Sequence, residues 1–138
     1  SAKRFGKWFL TMQTGHWGSA KCVVIFDLLG KTMAHALEEG ILVPEDLEQT
    51  DKHVADKLFA TDSVYVQQNL NILSNGFETR ENLVNPQYSA KKKFRHVDPT
   101  YVENGRIYTL SDTDTDYRRS LEWHRKVNAK GVSVDLLI

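Results

Sequence analysis

The sequence predicts a mainly α-helical fold with a small antiparallel β hairpin or sheet near the C-terminus. Two observations carry that prediction. Through residues 1–76, apolar side chains recur at helical spacing between Gly, Pro and Asn punctuation. After Phe77 the pattern shifts to short period-two runs and a Glu103-Asn104-Gly105 turn signal, before one more helical stretch. With 138 residues, the chain has the length of one domain and can bury a core without disulfides. It reads as a helical part, 1–76, and a small α+β part, 77–138.

The first helix is expected over Lys3 to Met12, with Phe5, Trp8, Phe9 and Met12 at helical spacing. Gly15 and Gly18 bracket His16 and Trp17 and suggest a bend. Ser19 then caps a long helix from Ala20 to about Glu39. Its stripe is Val23, Phe26, Gly30, Met33 and Leu37, widened by Val24, Ile25, Leu28 and Leu29 until the helix is apolar almost all round. Gly40 ends it. Pro44-Glu45-Asp46 suits a single turn. Thr50 caps a short helix, Asp51 to Ala60, with Val54, Leu58 and Phe59 inward. Another runs from Asp62 or Ser63 to about Ser74, with Val66, Leu70 and Leu73 on one face and Asn75-Gly76 as its stop.

Asn82, Asn85 and Pro86 then make a loop. The residues around Phe94 and His96 alternate up to Pro99 and suggest a strand, and the hairpin joins Thr100–Val102 to Arg106–Leu110. A last helix starts at Ser111 or Asp112, with Tyr117, Leu121, His124 and Val127 on one face, and stops at Gly131. Val132, Val134 and Leu136 form a final short strand.

Charge and composition exclude several classes of function. Formal net charge is zero, with hydrophobic residues at 41% and charged residues at 26%. That is an ordinary globular composition and argues against bulk electrostatic binding of nucleic acid. Stacking of bases on Phe94 and Tyr101 beside the Lys91–Arg95 run is the weakest of the readings for that reason. The charge is unevenly spread, however. Residues 1–21 carry only Lys3, Arg4, Lys7 and Lys21; residues 38–62 are acidic, with Lys52 and Lys57 as the only bases; Lys91, Lys92, Lys93 and Arg95 are basic again. The single cysteine, Cys22, in an apolar run, reads as a small buried hydrophobe in a reducing, cytoplasmic setting. The run Cys22 to Leu29 is too short to span a bilayer, so no membrane is expected.

No catalytic residue and no metal ligand is assigned to this chain. His16, His35, His53, His96 and His124 are widely spaced, without the i, i+4 pairing or Cys neighbours of a metal site. Asp112-Thr113-Asp114-Thr115-Asp116 lacks the glycine and the closing glutamate of a calcium loop, and reads as helix-capping acid. The Lys91–His96 run has two readings. Lys91, Lys93 and Arg95 on one face of a strand make an anion site, with Lys93 and Arg95 as phosphate contacts. Alternatively, the lysines protect a sheet edge.

The order of these segments resembles a known family. Ala34-His35-Ala36-Leu37-Glu38-Glu39-Gly40-Ile41-Leu42, Pro44-Glu45-Asp46-Leu47, Thr50-Asp51 and Ala55-Asp56-Lys57-Leu58 are similar to a passage of bacterial HD-domain proteins. Lys93-Phe94-Arg95-His96-Val97-Asp98-Pro99 is similar to a later strand of that family; Leu110-Ser111-Asp112 and the closing helix to Gly131-Val132 also fit. The resemblance implies a metal-dependent phosphohydrolase acting on nucleotides or related phosphate esters, in which His, His-Asp and Asp residues hold divalent metal. This sequence has no adjacent His-Asp pair, and Met12-Gln13-Thr14 stands where many relatives carry a polar pair near substrate. Asp27 is read as facing a polar partner. The chain is therefore expected to be a C-terminal portion of such a protein, a single domain over 1–138 that binds no metal alone and joins a homo-oligomer. The alternative is a non-catalytic interaction or oligomerisation module. If the chain is a fragment, Phe5 to Phe9 with Trp8 and Trp17 has lost its natural cover.

Overall fold

The computed structural model describes residues 1–138. It is mainly α, with a small antiparallel β region towards the C-terminus. Six α-helices and five strands occur in the order α1 Ala2–Met12, α2 Ala20–Glu38, α3 Asp51–Ala60, α4 Val64–Asn75, β1 Glu78–Glu81, β2 Tyr88–Ala90, β3 Thr100–Glu103, β4 Arg106–Thr109, α5 Leu110–Thr113, α6 Thr115–Ala129 and β5 Val132–Leu137. None of the helices is long and apolar enough to cross a membrane.

The chain divides into two compact units. One comprises Ser1–Val23 with Glu81–Asp135, the other Val24–Arg80 with Leu136–Ile138. Only helices occur up to Asn75 and all strands follow it, while α1 packs in the same compact unit as α5 and α6.

In the first unit, α1 packs on α6 around Leu10, Leu110, Tyr117 and Leu121, with Phe94 and Tyr101 against them. Gly6 is what lets the two helices close. A Cβ there would lie 2.7 Å from the Tyr117 ring. Lys3 reinforces the crossing with an ion pair to Asp114, 2.7 Å. Past Met12 the coil widens into a π-helical turn, Gln13–Trp17. Ser19 caps the start of α2, its hydroxyl accepting from the Cys22 N–H.

The expected last helix is two helices. Asp114 interrupts it in extended conformation and caps α6, its carboxylate accepting from the Tyr117 N–H at 2.9 Å. The acidic run is capping chemistry, as its composition indicated. The hairpin pairs Thr100 with Thr109 and Glu103 with Arg106, and the turn holds both Asn104 and Gly105 at positive φ. β2 pairs antiparallel with β5, Tyr88 opposite Val134 and Ala90 opposite Val132. The loop between β1 and β2 is tied down by Asn82, whose amide donates to the Asp135 carboxylate.

The second unit is built on Ala36, Leu42, Leu58, Val66 and Leu70, with Met33, Leu37, Ile41 and Val54 packed around them. The buried line of α2 is Val24, Leu28, Thr32 and Ala36, an i, i+4 row. Phe26, expected in the stripe, is 70% exposed, and Phe59, expected inward on α3, is 58% exposed. Phe26 lies two residues from both Val24 and Leu28, on the side of α2 away from the buried row, and Phe59 lies one residue past the buried Leu58. With apolar side chains almost all round α2, the sequence gives no direction. Thr32 is accommodated in the interior because its hydroxyl donates to the Leu28 carbonyl and accepts from the Asn69 amide.

Candidate functional site

The basic run Lys91–Arg95 lies in the first unit, in a segment, 91–99, without strand pairing. This corrects the expected strand. The backbone is extended enough that burial alternates: Lys91, Lys93 and Arg95 are exposed, Lys92 and Phe94 are partly buried. Its carbonyls, however, are met by side chains rather than by a neighbouring strand. Asn128 of α6 donates to the Lys92 carbonyl at 3.0 Å. Gln13 donates to the Lys93 carbonyl at 3.1 Å and to the Asn128 amide oxygen at 3.2 Å. The Tyr117 hydroxyl donates to the Val97 carbonyl. The run itself pairs with no strand, although it directly follows β2, an edge strand of the three-stranded sheet.

Phe94 anchors the centre of the segment. It packs on the Leu10–Leu110–Tyr117–Leu121 core, stacks on His96 with ring centroids 5.1 Å apart, and lies under the Arg125 guanidinium at 5.2 Å. Asp98 closes the far end, accepting from the Ser111 N–H at 3.0 Å and from the Ser111 hydroxyl. Burial holds the Lys92 ammonium below its ordinary pKa. Lys93 and Arg95 sit on the exposed side, two residues apart, so their cations share a face. A pinned backbone carrying two or three cations on one side can take an anion without first ordering a loop.

The remaining sites read from sequence lie elsewhere. His16 is exposed on the π-helical turn. His35 stacks on Tyr65, centroids 4.4 Å apart. His124 contacts the Ser120 carbonyl at 2.7 Å through Nδ1. Asp27 pairs with Lys31 at 2.6 Å, the polar partner expected of it. His53 and Lys57 both reach the buried Asp46, at 2.7 Å each, and the Val43 N–H adds a third bond at 2.9 Å. Lys57 first, then the Val43 amide and His53, hold the Asp46 carboxyl well below the usual carboxylate range, against the opposing effect of burial.

The donor set does not fit a metal centre. No three His, Cys, Asp or Glu side chains converge in positions to hold a metal ion. The tightest His–carboxylate pair, His53 with Asp46, already has Lys57 on the second carboxylate oxygen. Sequence reasoning passed over Asn128, a buried polar residue on the core face of α6, seven residues after Leu121. Its spacing was the available signal. Gln13, 1% exposed, is committed to the backbone of the basic segment, and its Oε1 is buried without a hydrogen-bond partner. No family model, curated protein or solved structure matches the chain.

Proposed function

We propose that this chain is the supporting portion of an HD-type metal-dependent phosphohydrolase acting on nucleotides or related phosphate esters. In this reading Lys93 and Arg95 contact substrate phosphate, and the divalent metal is held by residues outside this chain. The supporting observation is the basic segment itself, an extended backbone fixed by Gln13, Asn128 and Tyr117 with its cations exposed on one side. The resemblance of the Lys93–Pro99 and Ala34–Leu58 passages to that family points the same way. A reducing, cytoplasmic setting and a homo-oligomer belong to the same proposal.

Tripolyphosphate titrated into the chain, followed by amide chemical shifts, tests the phosphate contact. Shifts centred on residues 91–96 are expected, with Lys93→Ala and Arg95→Ala each weakening binding by about fivefold or more, an ordinary size for one charge-assisted contact. Binding that both variants leave unchanged overturns the assignment. Hydrolysis of a nucleotide panel with manganese, magnesium or nickel, by this chain and by an upstream-extended chain in parallel, tests the wider reading. Activity confined to the extended chain supports it, and inactivity of both overturns it.

The alternative, a non-catalytic interaction module, has its own supporting observation. Phe5 and Trp8 on α1 are 50% and 53% exposed, a large apolar display for one short helix.

A further inference from the structure

The second unit contains an open groove of about 530 Å³, walled by Leu29, Met33, Leu47, Val54, Phe59 and Leu73 with Gln49, Asp51 and Ser74 as its polar groups. That volume is in the range that encloses a drug-sized ligand, or a pair of aromatic side chains. The stretch of chain that supplies Leu47, Gln49, Asp51, Val54 and Phe59 to its wall is strongly acidic. Residues 38–62 hold eight acids against two lysines. Both lysines are already paired, Lys52 with Asp56 at 2.6 Å and Lys57 with Asp46 at 2.7 Å. Glu45, Glu48, Asp51 and Asp62 are exposed.

The complementary surface is α1. Its exposed face carries Arg4, Phe5, Lys7 and Trp8, and residues 1–21 contain no acid at all. Positions 4, 5 and 8 fall on one side of a helix, and a shallow hollow runs between Arg4, Phe5 and Trp8. Two aromatic anchors flanked by cations are what an apolar groove with a carboxylate, Asp51, and no cation in its wall would select.

We propose that the groove of the Val24–Arg80 unit receives the Phe5–Trp8 face of α1 from a second copy of this chain. The contact is heterologous: one surface of each copy meets a different surface of the other. Charge decides between this and a contact of like faces. Two α1 helices laid together oppose Arg4 and Lys7 with their own copies, and two grooves oppose carboxylates. The association deepens the homo-oligomer part of the proposed function, and its test does not depend on phosphohydrolase activity.

Sedimentation equilibrium of the intact chain tests the pairing. Self-association is expected, weakened tenfold or more by Trp8→Ala and, at the other surface, by Phe59→Glu, since both residues are exposed in the single chain and neither belongs to a core. The deciding experiment mixes the two variants. Each alone is monomeric, while the mixture forms pairs, because one variant retains an intact groove and the other an intact α1. Circular dichroism on each variant checks folding. A wild-type chain that stays monomeric at high concentration overturns the proposal, as does a mixture that remains monomeric. Binding of α1 to anionic lipid vesicles, reported by a blue shift of Trp8 emission and unaffected by Phe59→Glu, with no self-association, assigns the helix to a membrane surface and likewise overturns it.

Discussion

At the scale of single residues, Gly6 and Asp46 have consequences that can be weighed. Alanine at position 6 gains roughly 0.5–1 kcal/mol in an unstrained helix interior by restricting the unfolded chain. Here the new Cβ would sit 2.7 Å from the fully buried Tyr117 ring, and overpacking typically costs about 1–3 kcal/mol. The clash is the larger effect. Gly6→Ala is expected to destabilise the fold by about 1–2 kcal/mol, read from the urea midpoint, and an increase in stability would show that α1 shifts freely on α6. Asp46 makes a pH prediction. Its folded carboxyl titrates below its unfolded value, which is about 3.9 for an ordinary Asp. A depressed carboxyl stabilises the fold fully above that unfolded value and loses its contribution as pH falls towards the folded one. Asp46→Asn is therefore expected to lower stability at pH 7, with the gap to wild type closing below about pH 4. Urea titrations at several pH values check this; a gap that widens in acid is the contrary result.

At the scale of elements, the basic segment 91–99 is held by helix side chains, so its order depends on residues remote in sequence. Asn128→Ala leaves the Lys92 carbonyl and part of the Gln13 amide without partners, a loss of about 1–3 kcal/mol for buried groups. Hydrogen exchange is expected to rise across 91–99 while α3 and α4 keep their protection; uniform protection throughout would show that Phe94 alone fixes the segment. The same segment marks where the sequence was legible and where it was not. Ala2–Met12, Asp51–Ala60 and Val64–Asn75 were readable because apolar period, Thr50 as cap and Gly76 as stop agree with one another. The hairpin was readable because Asn104-Gly105 permits positive φ at both turn positions. The segment 91–99 misled because alternating burial reports an extended backbone, and says nothing of whether carbonyls meet a strand or side chains. β1 and β2, four and three residues long, left no readable period. The helix break at Asp114 was hidden because apolar spacing survives across it, and only the cap bond to Tyr117 reveals where α6 begins. As for the candidate site, the cations Lys93 and Arg95 were visible in sequence, but Gln13 and Asn128, which hold their backbone, are separated from it by 80 and 36 residues.

At the scale of the whole molecule, charge is balanced in sum and separated along the chain. Net charge is zero and the isoelectric point about 6.9, yet residues 1–21 are purely basic and residues 38–62 strongly acidic. Near neutral pH there is then no net repulsion between copies, while unlike patches attract. Such attraction is screened over the Debye length, about 10 Å at 0.1 M salt and about 30 Å at 0.01 M. Apolar attraction between exposed faces is not screened in this way, and excluded salts strengthen it. The sign of the salt effect therefore separates the two forces. Solubility is expected to pass through a minimum near pH 7 and, at that minimum, to rise as sodium chloride is raised from about 0.01 to 0.15 M. Light scattering should show the attraction between copies weakening over the same range. If scattering at pH 7 instead grows with salt, then Phe5, Trp8, Phe26 and the other exposed apolar residues govern association, and the separation of charge serves only to orient copies that apolar contact holds.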